Sequence, residues 1–431
     1  MGKKENDGAG GSGRARRAYM TADRPLRICL LCYRGNPYSG GQGIYLKYIA
    51  DEMVRQGHEV HAIVGPPYPL PMKGVIEHRI PNNQYFIRKR LNIIEPDDPF
   101  AIFRPLNFYE YMSSRLGAFS EISTFGYRAF MLLKDLHGRH GFDIIHDNQS
   151  IGYGLLLMKQ LGVPVVATIH HPLSIDMVNV LERTQTFKNK LKTVMFYPTL
   201  MQAIVSKRLD HIITVSEDSK RMIHRDFGVP LDMQTVVYNG IDREIFRPLK
   251  GVKKKKRKII FVGNIEDGKK GFVYLLKAMP LIDRRAKLTV VDGGAPHRKV
   301  TDRLMAKLGL EGRVEFTGKA STEELVRHYS ESELAVVPSV YEGFGLPAAE
   351  AMSCGVPVIA SDGGALPEVV GDAGIVVPAR DERAIVGAVN GIFADQKLLK
   401  RLGDAGIDRV RNRFNWERAV AEIIHVYRRF I

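Results

Sequence analysis

Residues 333–360 read ELAVVPSVYEGFGLPAAEAMSCGVPVIA. An apolar run, a loop spaced by Gly343 and Gly345, a small-residue stretch with Pro347 near its start and a second apolar run predict strand 333–337, helix 346–352 and strand 356–360. Proline favours the first turn of a helix. Short apolar strands alternating with helices predict an α/β protein with a parallel sheet covered on both faces.

The same alternation extends outward from this unit. Upstream lie predicted strands at 258–262, 287–291 and 314–317 and a helix at 271–279. Nearer the N-terminus, strands at 27–33, 59–64, 144–146, 165–169 and 211–215 form another such unit. A Gly-rich turn at 39–43 there leads into a helix with Ile44, Tyr45, Tyr48, Ile49 and Met53 on one face. Two Rossmann-like doubly wound units facing one another would hold ligands in the cleft between them, outside the carboxyl ends of the strands. The expected organisation is a disordered basic tail at 1–24, one unit at 25–245, a second at 246–415 and a final helix at 416–431. Residues 66–140 read as an elaboration of the first unit. In the final helix Trp416, Val420, Ile423, Ile424 and Tyr427 share a face that must pack back on something.

The chain has 431 residues, 63 Lys+Arg against 47 Asp+Glu, 45% apolar residues and three cysteines, which excludes a disordered chain and a disulfide scaffold. The net charge of +16 is uneven: residues 1–25 carry +3, and residues 250–258 add seven cations without an anion. Most of the basicity is thus expected in a tail and a linker, a weak sign of polyanion binding. Cys29, Cys32 and Cys354 suit a reducing compartment, and the C-x-x-C pair lies inside an apolar run, so both read as core fillers with no metal-type Cys/His cluster beside them. The first 24 residues lack the apolar stretch of a secretory signal, and no 18-residue apolar span occurs elsewhere. A cytoplasmic protein is expected, with any membrane contact peripheral.

In the central motif several backbone N–H groups and a helix N-terminus come together, a ready site for phosphate or hydroxyl oxygens. Glu342 in the loop and Glu350 in the helix are placed to hold neighbouring diols. Upstream, Gly263 and then Lys269, Lys270 and Gly271 supply two cations beside free amides, which suits a pyrophosphate. The bland readings are a solvated loop acid, a helix-start acid and two solvated lysines.

The motif resembles the retaining glycosyltransferases of family 4, which share the GT-B fold and carry two glutamates separated by seven residues. The resemblance implies transfer of a hexose-type sugar from a nucleoside-diphosphate sugar to an acceptor hydroxyl, in cell-surface polysaccharide or glycolipid synthesis. Within it Glu342 orients the sugar, Glu350 holds the ribose, and Lys269 and Lys270 bind the diphosphate. Phe344, Gly345, Leu346 and the turns at Asp292–Gly293–Gly294 and Gly318 lie around the donor, with Gly363, Gly364 and Pro367–Glu368 in a turn beside it. Gly40 and Gly41 form the glycine loop facing the donor phosphates, and His170 contacts the donor sugar. The spacing at Gly40 and Gly41 is not G-x-G-x-x-G, which removes the main support for a dehydrogenase. The family usually has Arg after the glycine where this chain has Asn264, so one diphosphate contact is missing or comes from elsewhere. The segment at 239–242 resembles the family's approach to the domain linker. No cofactor and no metal are implied, and no D-x-D sequence occurs.

For the acceptor, residues 182–208 hold six cations against one anion, interleaved with Leu191, Val194, Met195, Phe196 and Tyr197. That composition suits either an interfacial helix on an anionic membrane surface near a lipid-linked or carbohydrate acceptor, or an ordinary core helix with a basic face. Arg88, Lys89 and Arg90 beside Tyr85 and Phe86 form a second basic patch. Two other functions remain open: a basic nucleic-acid-binding protein resting on the lysine run, and a GT-B-like nucleotide-sugar epimerase. Against the first, no nucleic-acid module surrounds that run.

Overall fold

A parallel strand covered on both faces is apolar along most of its length, and β1 (Arg27–Cys32) shows why. Cys29 and Leu31 enter one core, while Ile28, Leu30 and Cys32 enter another on the opposite face. The computed structural model describes residues 24–36, 41–81, 83, 100–293 and 299–431. The basic tail up to residue 23, Gly40, Gly294 and the Tyr85–Arg90 patch lie outside the described residues.

The first unit continues with β2 (Glu59–Val64), β3 (Ile76–Arg79), β4 (Ile144–Asn148), β5 (Val165–Ile169), β6 (His211–Thr214) and β7 (Gln234–Val236). These form one sheet in the order β3-β2-β1-β4-β5-β6-β7, parallel throughout. The second contains β8 (Lys258–Val262), β9 (Lys287–Val291), β10 (Val314–Phe316), β11 (Leu334–Val337), β12 (Val358–Ser361) and β13 (Ile375–Val377). Its order is β10-β9-β8-β11-β12-β13, again parallel. In each sheet the winding reverses beside the unit's first strand, between β1 and β4 and between β8 and β11. A reversal of this kind opens a crevice at the carboxyl ends.

Three strands escape the sequence pattern: β3, β7 and β13 are short, lie at sheet edges and are only partly buried. Residues 66–140 also hold β3 and the helices Pro105–Arg115 and Glu121–His140, the second of which buries Phe125, Ala129, Leu133 and Leu136 under the first sheet. The basic run at 250–258 is more than a solvated linker. Lys255 and Lys258 both donate to Glu331 Oε2, at 2.7 and 2.8 Å, and Lys254 Nζ donates to the carbonyls of Ser332 and Gly355. All three cysteines are buried and free, and burial pushes the Cys32 and Cys354 thiols up to about 12, as inert core residues require. Among the described residues, no helix is long and apolar enough to cross a membrane.

The final helix, Trp416–Tyr427, leaves the second unit and packs on the first sheet, where Val420, Ile423 and Tyr427 are fully buried. Each such apolar burial contributes about 1.5–3 kcal/mol. Trp416 stacks on Tyr48, ring centroids 5.1 Å apart, and the Tyr427 hydroxyl meets Nδ1 of buried His146, whose Nε2 lies 2.7 Å from Thr168 Oγ1. Burial pushes the His146 imidazole down to about 3, so it stays neutral. Tyr427→Phe should cost about 1–2 kcal/mol by leaving a buried ring nitrogen unpaired. Urea unfolding checks this as a lowered midpoint with an unchanged slope.

Candidate active site

The carboxyl ends of the two sheets meet at bare backbone. Gly343 sits so close to the strand end at His170 that a Cβ there would lie 2.7 Å from the His170 carbonyl oxygen. Two hydroxyls from the first unit fasten the contact. Ser216 Oγ donates to Gly343 O at 2.8 Å, and Ser219 Oγ donates to His170 O at 2.7 Å. The Glu368 carboxylate accepts from the N–H groups of Glu217 and Asp218 at 2.8 and 2.7 Å, capping the helix Glu217–Phe227 across the cleft. Glu368 is therefore a clamp between the units in this structure.

Beyond β11, residues 338–345 form the loop and Leu346–Ser353 the helix, with Gly345 as its N-cap and Pro347 in its first turn. Glu342 Oε1 accepts from Lys270 Nζ at 2.7 Å and from Ser339 Oγ at 2.8 Å. Lys270 is brought there because Gly271, at φ 63°, lies against the Pro338 carbonyl where a side chain would collide. Val340 N–H also donates to Lys269 O at 2.6 Å. One turn into the helix, Glu350 Oε2 accepts from Tyr329 OH at 3.1 Å. Burial pushes the Glu350 carboxyl up to about 7, against the opposing pull of that hydroxyl and of Lys270.

Lys269, beside the same loop, turns to a different carboxylate. Its ammonium pairs with Asp176, on the helix Leu173–Arg183 of the first unit. Burial disfavours both charges, but His171 and Lys269 outweigh it at Asp176 and hold that carboxyl below its ordinary range, while Asp176 and Asp267 hold Lys269 above its own. His171 Nε2 lies 3.1 Å from Asp176 Oδ2. The result is a chain of charge running from one unit to the other.

His170 stands at the end of β5, edge-on to Tyr45 with ring centroids 4.8 Å apart. Its Nε2 donates to Asn148 Oδ1 at 2.9 Å, and burial, reinforced by His171 and His146, pushes it down to about 3. Gln149, at φ 66°, holds this segment by accepting from His170 N–H and donating to His171 O at 2.7 Å. Asn148, Gln149, Asp176, Ser216 and Ser219 are site-building residues that sequence reading missed. For Gln149 and Ser216 the signal available was a position just past a strand end, whereas Asn148 closes β4 and Asp176 and Ser219 lie on helices.

The remaining predicted residues divide. Gly318 follows β10 and Gly293 follows β9, both at carboxyl ends. Gly41 opens the helix Gly41–Arg55 with open space around it, whereas Gly43 is pressed against the Asn36 carbonyl within the same turn. The Phe344 ring is core, 5.4 Å from Phe414 and edge-on to it, which leaves its main chain, not its ring, for a ligand. Asn264 Oδ1 accepts from Glu266 N–H at 2.9 Å and so serves its own turn. The guanidinium of Arg183 lies where a side chain on Gly268 would be. Residues 182–208 form no single interfacial helix. They divide between the end of Leu173–Arg183 and the helices Phe187–Phe196 and Thr199–Ser206, with Met201 and Val205 in the core. Away from the cleft, the fold brings Glu59, His61 and His140 together, one donor atom of each within 4.8 Å of the other two.

Two facing doubly wound units, with paired lysines and glutamates at the switch points, define a glycosyltransferase of GT-B architecture. The chain belongs to glycosyltransferase family 4: the model described as Glycosyltransferase Family 4 matches residues 39–245, and that described as Glycosyl transferases group 1 matches residues 242–409. The MMP alpha-(1->4)-mannosyltransferase of Mycolicibacterium hassiacum is 34% identical over 420 residues, covering 94% of this chain and 98% of the relative. A D-inositol 3-phosphate glycosyltransferase of Mycobacterium tuberculosis is 26% identical, covering 98% and 87%. Among solved structures, sucrose-phosphate synthase from Thermosynechococcus elongatus superposes with a TM-score of 0.72 at 23% identity, covering 94% of this chain and 98% of that one. Anabaena Alr3699/HepE in complex with UDP and glucose gives 0.67 at 18% identity, covering 93% and 99%.

Because the folded state favours protonated Glu350, its stability should be greatest below the ordinary carboxyl range and fall as pH rises through about 7. Glu350→Gln should remove that component. Melting temperatures of variant and wild type at pH 5 and pH 8 check this, the variant gaining on wild type at pH 8.

Proposed function

We propose that this enzyme transfers a hexose, of mannose type, from a nucleoside-diphosphate sugar to an acceptor hydroxyl with retention at the anomeric carbon. The observation that carries the reading is the Lys270–Glu342 pair at a helix start, facing His170 across the Gly343 contact. The name of the mannosyltransferase relative supports the sugar. The solved neighbours with UDP and glucose, and the starch synthase IV catalytic domain from Arabidopsis thaliana bound to ADP and acarbose, support a nucleotide donor.

On this reading the diphosphate takes over Lys270 from Glu342 and Lys269 from Asp176, and the two lysines do the neutralising that a divalent ion does in other transferases. Glu342, once released, orients the sugar. Glu350 receives the ribose diol, and Nδ1 of neutral His170 is left for a sugar hydroxyl. The main chain at Phe344, Gly345, Leu346 and Gly41 surrounds the phosphates, with Gly318 beside the base. A leaving phosphate oxygen accepts the acceptor proton on the same face, so the protein supplies positioning and electrostatic stabilisation and neither glutamate acts as in a glycosidase. Arg183, resting on Gly268, supplies the diphosphate contact that Asn264 cannot. Glu342→Ala should retain the fold and abolish transfer in a screen of UDP, GDP and ADP sugars, and turnover at the wild-type rate would overturn the assignment. In calorimetry, Arg183→Ala should weaken binding of the preferred nucleoside diphosphate about tenfold, or about 1.4 kcal/mol.

We further infer a membrane-adjacent acceptor in cell-surface glycan synthesis, with the enzyme on the cytoplasmic side. On the helix Phe187–Phe196, Phe187 is 81% exposed and Leu191, Val194 and Met195 about half exposed, beside Lys188, Lys190 and Lys192. Engagement of Lys254, Lys255 and Lys258 inside the second unit supports reading the basic run as scaffold, not as a nucleic-acid surface. Co-sedimentation with anionic liposomes should be salt-sensitive, and no binding at low ionic strength would refute the membrane address.

A further inference from the structure

We propose that Glu59, His61 and His140 form a binding site for a divalent ion of the zinc class, at the end of the first sheet opposite the cleft. Glu59 opens β2, and His61 and Ile63 follow at the two-residue spacing of one strand face. Ile63 on that face belongs to the core that the helix Glu121–His140 covers, and His140 is the last residue of that helix. One donor atom from each of the three residues lies within 4.8 Å of the other two. The His61 side chain is fully buried, with Nε2 3.1 Å from Glu59 Oε1, and its ring centroid is 4.6 Å from that of His140.

The surroundings hold these groups as outer partners of a metal site do. His78, on neighbouring β3, sits with Nε2 3.0 Å from His61 Nδ1, taking the ring nitrogen that faces away from Glu59. Arg27 approaches Glu59 through Oε2 at 3.5 Å, leaving Oε1 toward His61, and its Nη1 donates to the His140 carbonyl at 2.6 Å. Two imidazoles and one carboxylate are a borderline donor set that suits Zn²⁺ and neither Mg²⁺ nor Ca²⁺. Zinc bonds of about 2.0–2.2 Å require the three donors to draw inward. Glu59, with 41% of its side chain exposed, and His140, at a helix end, are free to make that movement while His61 stays in place. A water completes the shell on the solvent side. The bound ion would pin the end of the helix Glu121–His140 to β2.

The test uses the untagged full-length protein, stripped with chelator and titrated calorimetrically with ZnCl₂ and with MgCl₂. One tight equivalent of zinc, no magnesium binding and a melting temperature raised by zinc are expected. Glu59→Gln, which keeps shape at an exposed position, and His140→Ala should each bind zinc at least tenfold more weakly while melting like the wild type without metal. Absence of a tight equivalent in the wild type, or an unchanged zinc isotherm in Glu59→Gln, would overturn the proposal. Should His140→Ala not fold, the Glu59→Gln isotherm decides alone.

Discussion

The cleft depends on a contact between two stretches of main chain, Gly343 against the carbonyl of His170. Any side chain at 343 would push the sheet ends apart, and Ser216 and Ser219 bridge these carbonyls only because the approach is so close. A hydroxyl donating to a backbone oxygen has little freedom of position. The loop bearing Glu342 is thereby registered on the strand bearing His170, and residues from different sheets come to face one volume. Glu368 secures the same junction from the other side by capping a helix of the opposite unit.

The fold was legible where physics leaves one option. Strands with both faces in a core must be continuous apolar runs, so β1, β2, β5, β8 and β9 are read from sequence at or near their observed bounds. β3, β7 and β13 were not, because an edge strand exposed along part of its length needs no such run. The glutamate loop was legible through its glycines and Pro347. Its counter-charges were not: Asp176 is a helix residue with no local mark, and pairs with Lys269 only because the two units meet. Phe344, between two glycines, packs its ring into the core beside Tyr238 and Phe414, a placement that the loop sequence alone does not reveal.

The charges in the cleft are balanced before any ligand arrives. Lys270 is matched by Glu342 and Lys269 by Asp176, while His170 is held neutral by burial and Glu350 is shifted toward its neutral form. Under the proposed reading, a diphosphate enters by exchanging places with carboxylates, so recognition becomes a competition between two kinds of oxyanion for the same ammonium groups. Glu342 is then held in reserve by the cation that the donor will claim.

The chain crosses between the units twice, and the two crossings touch. The outgoing segment at 239–242 presses Gly240 against Trp416, and Ile241 N–H donates to Phe414 O at 3.0 Å on the returning one. A single covalent tether leaves rotation about its own direction nearly free, but two that are bonded side by side resist it. The paired crossing thus holds Gly343 in register with the carbonyl it faces, against sideways slip.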